Sequence, residues 1–246
     1  RNNAHRLEIE IPESEIERKH LIQPLINLDE KIQLNHQINQ TLEQIAQALF
    51  KSWFVDFDPV KAKIEVLEAG GSEEEALLAA MQVISSKNAE ELAAFEVEKP
   101  EEYAELRATA ELFPAAMVES ELGEIPEGWS CLSLDEIAHY QNGLALQMFR
   151  PEDENDSLPV VKIAQLREGA ADGEEKASPS INPACIIGNG DIVFSWSGSL
   201  IVDVWCGGKA ALNQHLFKVT SENYPKWFYY LYTKHHLAEF QRIASY

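Results

Sequence analysis

The sequence predicts an α+β protein: a long coiled-coil-like helical spacer, an acidic helical linker, and then a compact mixed α+β domain. Three observations carry this reading. Apolar residues step by three and four between positions 25 and 53, acidic residues crowd the middle of the chain, and from Gly128 short β-type runs alternate with glycine turns. The chain divides accordingly into a strand-like tail over 1–13, a helical spacer over 14–64, the linker over 65–127 and the mixed domain over 128–246.

The spacer carries a heptad seam of Leu25, Leu28, Ile32, Asn35, Asn39, Leu42, Ala46, Leu49 and Trp53. Its two asparagines lower stability but fix register against a partner helix. A second row, Ile22, Ile26, Ile38 and Ile45, widens the face, so more than one helix packs here. A helix over 25–54 would be roughly 45 Å long, a length suited to a spacer, although heptads also occur in ordinary core helices. Pro24 marks either its start or a kink in a longer helix beginning near Glu13. After Trp53 the period breaks in an aromatic turn, and Pro59 disfavours helix at Asp58.

The linker reads as short acidic helices: Ser72 and Glu75 form a capping box, Asn88 caps the next turn, and Pro100 suits a first helical position. It is either an arm that docks on a basic partner or a solvated linker. In the last domain a capping box at Ser133 and Glu136 opens a short helix to about Tyr140. Strands follow at 158–163, 191–197, 200–205 and 216–219. A closing helix over 225–244 turns Phe228, Leu231, His235 and Leu237 or Phe240 toward a core.

Composition excludes several classes. The 246 residues include three cysteines, Cys131, Cys185 and Cys206, with no C-x-x-C pair, which suggests neither a disulfide framework nor a zinc site and fits a reducing, cytoplasmic setting. No apolar run approaches the roughly 18 residues of a membrane span. The formal charge of -21 argues against nucleic acid at first sight. Its distribution matters more: residues 65–127 hold 3 basic and 17 acidic side chains, residues 128–246 hold 9 and 14. A chain that begins at Arg1 and stops at Tyr246 on an amphipathic stretch reads as a fragment.

Three strings resemble the DNA-specificity subunits of type I restriction-modification systems. The first is Leu28-Asp29-Glu30-Lys31-Ile32-Gln33-Leu34-Asn35 with Phe50-Lys51-Ser52-Trp53-Phe54-Val55-Asp56-Phe57-Asp58-Pro59, and its aromatic part is highly specific. The second is Leu112-Phe113-Pro114 with Glu119-Ser120-Glu121-Leu122-Gly123-Glu124-Ile125-Pro126-Glu127-Gly128-Trp129. The third is Gly190-Asp191-Ile192-Val193-Phe194-Ser195-Trp196-Ser197-Gly198-Ser199 with Gly208-Lys209-Ala210-Ala211-Leu212-Asn213-Gln214-His215.

The resemblance implies two target-recognition domains held apart by antiparallel helices, each reading one half of a split site in double-stranded DNA. It implies methylating and restriction subunits as partners, with S-adenosylmethionine, ATP and magnesium only in those partners and no cofactor here. This chain departs from that plan: it carries one recognition domain, C-terminally incomplete, and only the tail of a preceding one. Either a half is missing or two copies pair through the heptad face. An alternative reading is an acidic interaction protein that sequesters a nucleic-acid enzyme.

Sequence is read by donors and acceptors that reach base edges. The candidates are Lys162, Gln165 and Arg167 after the first strand, Ser195, Ser197 and Ser199 around the Gly198 turn, and Lys209, Asn213, Gln214 and His215 before the last strand. Gln suits adenine and Arg guanine. Trp196 reads as core or turn packing rather than a stacking platform. No catalytic or metal-binding set emerges. Ser195, Asp203 and His215 lack the G-x-S-x-G elbow, Asn182-Pro183-Ala184-Cys185 lacks the aromatic of an amino-methyltransferase motif and reads as a turn, and His235-His236 with Glu239 lacks H-E-x-x-H spacing.

Overall fold

The computed structural model describes residues 10–244, so most of the strand-like tail lies outside the described residues. The chain divides into two compact units, Arg1–Leu49 and Phe50–Tyr246. Helix α1 (Glu15–Phe54) makes up most of the first, and its residues from Phe50 on belong to the second. Its 40 residues extend it to about 60 Å. It starts ten residues before Leu25: Ser14 Oγ accepts the Glu17 N–H at 3.5 Å, and Arg18 Nη1 donates to the carbonyls of Pro12 and Glu13 at 2.7 and 2.9 Å. Pro24 lies within the helix, which continues despite the lost backbone donor. Leu25, Leu28, Ile32 and Leu42 are each more than half exposed.

The second unit begins with the aromatic string. Phe57 takes a left-handed backbone (φ 56°) to turn the chain from α1 into α2 (Asp58–Glu68). That conformation is unfavourable for a bulky residue and needs outside support. Support comes from Trp129, edge-on to the Phe57 ring at 5.7 Å, from Ser52 Oγ donating to Asp58 Oδ2 at 2.7 Å, and from an ion pair between Lys51 and Asp56. Helix α2 opens at Asp58 with Pro59 in its first turn, where a missing N–H costs nothing.

Helices α3 (Glu73–Ser85), α4 (Ala89–Glu98) and α5 (Pro100–Glu111) complete a small bundle with α2, around Val60, Leu77, Ala80, Met81, Ile84, Leu92, Ala110 and Phe113. Both anticipated caps form: Ser72 and Glu75, and Asn88 and Glu91, exchange side-chain and backbone hydrogen bonds. Lys63 is buried, its ammonium donating to the carbonyls of Ala110 and Phe113 at 2.7 and 2.5 Å. Arg107 grips Glu74 with both terminal nitrogens at 2.6 and 2.8 Å, tying α5 to α3.

A hairpin of β1 (Met117–Ser120) and β2 (Gly123–Pro126) leads through α6 (Leu134–Ile137) into two four-stranded sheets. One has the order β3-β10-β7-β8, from β3 (His139–Asn142), β7 (Ile192–Ser195), β8 (Val202–Val204) and β10 (Leu216–Thr220). The other has the order β5-β4-β9-β6, from β4 (Leu158–Val161), β5 (Lys176–Ala177), β6 (Ile186–Ile187) and β9 (Ala210–Leu212), with β4 and β9 parallel. Strand β7 is buried throughout: Val193 enters the core of Val161, Leu166, Ile187, Trp205, Leu212 and Leu216, while Ile192 and Phe194 enter the core of Ile137, Val202, Val219 and Tyr229.

Several sequence boundaries move. The helix from Ser133 stops at Ile137 because residues 139–142 pair with β10 instead. The run 158–163 gives up Ile163 to helix α7 (Ile163–Glu168). The closing helix breaks at His236 into α8 (Lys226–His235) and α9 (Leu237–Ala244), and His235 is exposed rather than in the core. No helix among the described residues is long and apolar enough to cross a membrane.

The aromatic string joins the bundle to the sheet domain. The Phe54 ring lies within 5.9 Å of Trp129, Trp227 and Phe228, and the buried Phe50 ring meets Tyr232 edge-on at 4.6 Å. Phe50→Ala is expected to lower unfolding stability by about 3–4 kcal/mol, read by chemical denaturation. Arg107 also holds the Glu74 carboxyl below the usual carboxylate range, chiefly through its hydrogen bond. A depressed carboxylate contributes stability above its unfolded value of 4.5 that is lost as pH falls through the lower folded value. Glu74→Gln should therefore remove part of the acid dependence of unfolding below pH 4.5, measured as denaturation midpoint against pH.

Candidate nucleic-acid interface

The strand register gathers three connections at one end of the β3-β10-β7-β8 sheet. Asn142 pairs with Phe217, Leu216 with Ser195, and Phe194 with Val202, so the segments 143–149, 196–201 and 213–215 all leave from that end. Residues 213–215 also carry the chain from β9 in one sheet to β10 in the other. Asn213 organises this crossing: its Oδ1 accepts the His215 N–H at 3.2 Å and its carbonyl accepts the Leu216 N–H at 3.0 Å. The segment at Gly143 packs over it, with Gly143 N–H donating to Leu216 O and Gln214 N–H to Leu144 O, both at 2.9 Å. A Cβ at Gly143 would lie 2.2 Å from the Asn213 carbonyl oxygen, so only glycine allows the approach.

The candidates divide by what these strands do to their side chains. Ser195 ends a strand buried on both faces, is 0% exposed, and donates to Ser197 O at 3.0 Å; in this arrangement it reaches no base edge. Asn213 is buried too, and its side chain shapes the turn. Ser197 Oγ lies 3.1 Å from Nδ1 of the exposed His215, and Gln214 Nε2 lies 3.4 Å from His215 Nε2. Ser199 is exposed in the same turn as Gly198, whose φ is +63°.

Lys162 joins this group through the backbone, because the Asn213 N–H donates to the carbonyl of neighbouring Val161 at 3.1 Å. Its ammonium is engaged in an ion pair with Glu175. Gln165 is likewise committed: Oε1 accepts the Lys162 N–H at 3.2 Å and Nε2 donates to Asp172 at 2.6 Å. The Glu174 N–H and then Gln165 hold the Asp172 carboxyl below its usual range. Arg167, in the last turn of α7, is exposed and has no ion pair among the described residues. A Cβ at Gly198 would meet Ile163 Cδ1 at 3.6 Å, so the 196–199 turn lies against the start of α7.

Lys209 stands apart from this group. It precedes β9, whose Ala210 pairs with Ile187, while the neighbouring Gly208 N–H donates to Asn189 Oδ1 at 2.7 Å. Strand β9 then runs the length of three residues, about 10 Å, before Asn213. Adjacency along the chain thus grouped side chains that the strand separates.

Trp196 packs in the turn rather than in the core, one of the two placements expected of it. Alternation places it on the face opposite Ser195, outside the core and 44% exposed, against the rings of His215 and Phe217 at 6.0 Å each. The enzymatic types do not assemble, since His215 bonds Ser197 rather than Ser195. Asn182 Oδ1 accepts the Ala184 N–H at 3.0 Å, an ordinary Asx turn, and Glu239 pairs with Arg242. Among the described residues, no group of three or more His, Cys, Asp or Glu could hold a metal ion. Gly143→Ala is expected to lower stability by about 1–3 kcal/mol and to broaden the amide signals of residues 213–216 in NMR spectra, since the added methyl must displace backbone.

No family model matches the chain. It is 47% identical over 165 residues to the type I restriction enzyme HindI specificity subunit of Haemophilus influenzae, a match covering 65% of this chain and 36% of that protein. It is 26% identical over 108 residues to the type I restriction enzyme EcoBI specificity subunit of Escherichia coli, covering 43% and 22%. The chain thus spans about a third of the length of the first and about a fifth of the second. The curated homologues of this chain are specificity subunits of type I restriction enzymes, of which it matches a part.

Proposed function

We propose that this chain reads one half of a bipartite DNA site for a type I restriction-modification complex, without catalysing a reaction itself. The observation that supports this best is the convergence of Ser197, Ser199, Gln214 and His215 at one sheet end, in a chain 47% identical over 165 residues to a specificity subunit. These are polar side chains in turns at the end of a hydrogen-bonded sheet, suited to base edges more than to phosphate. The charge of -21 means that most of the cationic grip on the backbone comes from elsewhere. Methylating subunits in the cytoplasm, holding S-adenosylmethionine, are the partners that would supply it, with restriction subunits joining for cleavage. The exposed seam of α1 is the surface for a second helix, from a second copy or from another part of a specificity subunit.

A second reading, an acidic protein that sequesters a nucleic-acid enzyme, draws on the glutamates of α3–α5. Several of those serve the bundle as caps or in the Arg107 clamp, which leaves fewer for a partner. Competition between the chain and DNA for that enzyme would favour it.

The test is DNA binding by the chain assembled with methylating subunits, titrated in salt. Sequence-preferring, salt-dependent binding is expected, and Arg167→Ala should lower the slope of log affinity against log salt by about 1. Equal binding to all sequences at moderate salt would overturn the proposal.

A further inference from the structure

Trp196 is held in place while much of its ring surface stays in water. Its indole caps a row of rings: Phe217 beneath it is stacked on Phe194 at 6.3 Å, and Tyr140 stands edge-on to both, at 6.0 Å from Phe217 and 6.3 Å from Phe194. His215 flanks the indole and is tied to Ser197 across the turn. The ring stays at the surface because, on the face opposite Ser195, Phe217 already fills the space beneath it. A large apolar surface kept out of the core is unfavourable in water and gains on being covered.

The chemistry at this sheet end selects what covers it. The indole carries no charge and a single donor, so it contributes little to phosphate. In a duplex the base faces are stacked on one another, and the apolar feature left accessible in the major groove is the C5 methyl of thymine. The neighbouring Gln214 and His215 supply the hydrogen-bonding partners for an adjacent base edge.

We propose that Trp196 is a specificity-determining residue, its exposed indole packing on a thymine methyl within the half-site. This rests on the DNA-reading proposal above. Covering one methyl group corresponds to about a three- to five-fold change in affinity.

The experiment uses the chain in complex with methylating subunits, on a half-site first defined by mapping methylated positions. Each thymine is replaced in turn by deoxyuridine, which lacks only the methyl. For the wild type, one replacement should weaken binding three- to five-fold. Trp196→Ala should weaken binding to the thymine site by a similar factor and become indifferent to that replacement. Trp196→Phe should keep part of the sensitivity. Because the indole also covers Phe217, unfolding midpoints and binding to unrelated DNA are measured alongside and should stay near wild type. If Trp196→Ala keeps the wild-type response to deoxyuridine at every position, or weakens all sequences equally, the inference is overturned. A half-site without any thymine response in the wild type overturns it as well, while leaving the DNA-reading proposal standing. A wild-type complex with no sequence preference removes that proposal itself.

Discussion

Phe54 meets aromatic rings from several directions at once. Phe50 stacks on it from within α1 at 5.4 Å, Trp129 approaches from the segment after the β1–β2 hairpin, and Trp227 and Phe228 approach from α8. Such ring pairs contribute about 0.5–1.5 kcal/mol each beyond the area they bury. Their position matters as much as their size, because Trp53, Phe57 and Trp129 also pack on the bundle core and Phe228 and Tyr232 on a sheet core. The string Phe50 to Phe57 is therefore a shared wall, and the left-handed turn at Phe57 is tolerable only because the wall surrounds it.

The helical half of this arrangement could be read from the sequence because its signals are local. Ser72 with Glu75 and Asn88 with Glu91 announce helix starts by chemistry that operates within four residues. The sheet half was legible in outline only. Residues 138–140 continue a plausible helix until β10 supplies an antiparallel partner, and Ile163 looks like strand until the Lys162–Gln165 contact starts a helix. The first choice is made by a partner distant in sequence, the second by a local cap, Lys162 with Gln165, that lacks the commoner Ser or Thr signal.

The candidate site shows the same division. The turns at 196–199 and 213–215 were found from glycines and polar residues, and the register brings them together. Ser195 and Asn213 lie buried, a placement that polarity alone does not announce because it does not say which face of a strand a side chain takes. For Trp196 the sequence leaves core and turn packing open, and the structure places it in the turn against Phe217 and His215. Lys209 shows that a few strand residues are enough to move a side chain from one end of a sheet to the other. Part of the linker charge is engaged in capping and in the Arg107 clamp, while the buried Lys63 closes the end of α5.

Strand β7 is sealed on both faces and hydrogen-bonded on both edges, yet it delivers its chain directly into the exposed turn at 196–199. A sealed strand and an exposed turn are thus separated by a single peptide link. Randomising Ser197, Ser199 and Gln214 in a library would touch almost none of the apolar interior, so most members should retain the parent fold while differing in surface chemistry. A protein whose role requires new preferences without new scaffolds gains evolvability from that partition.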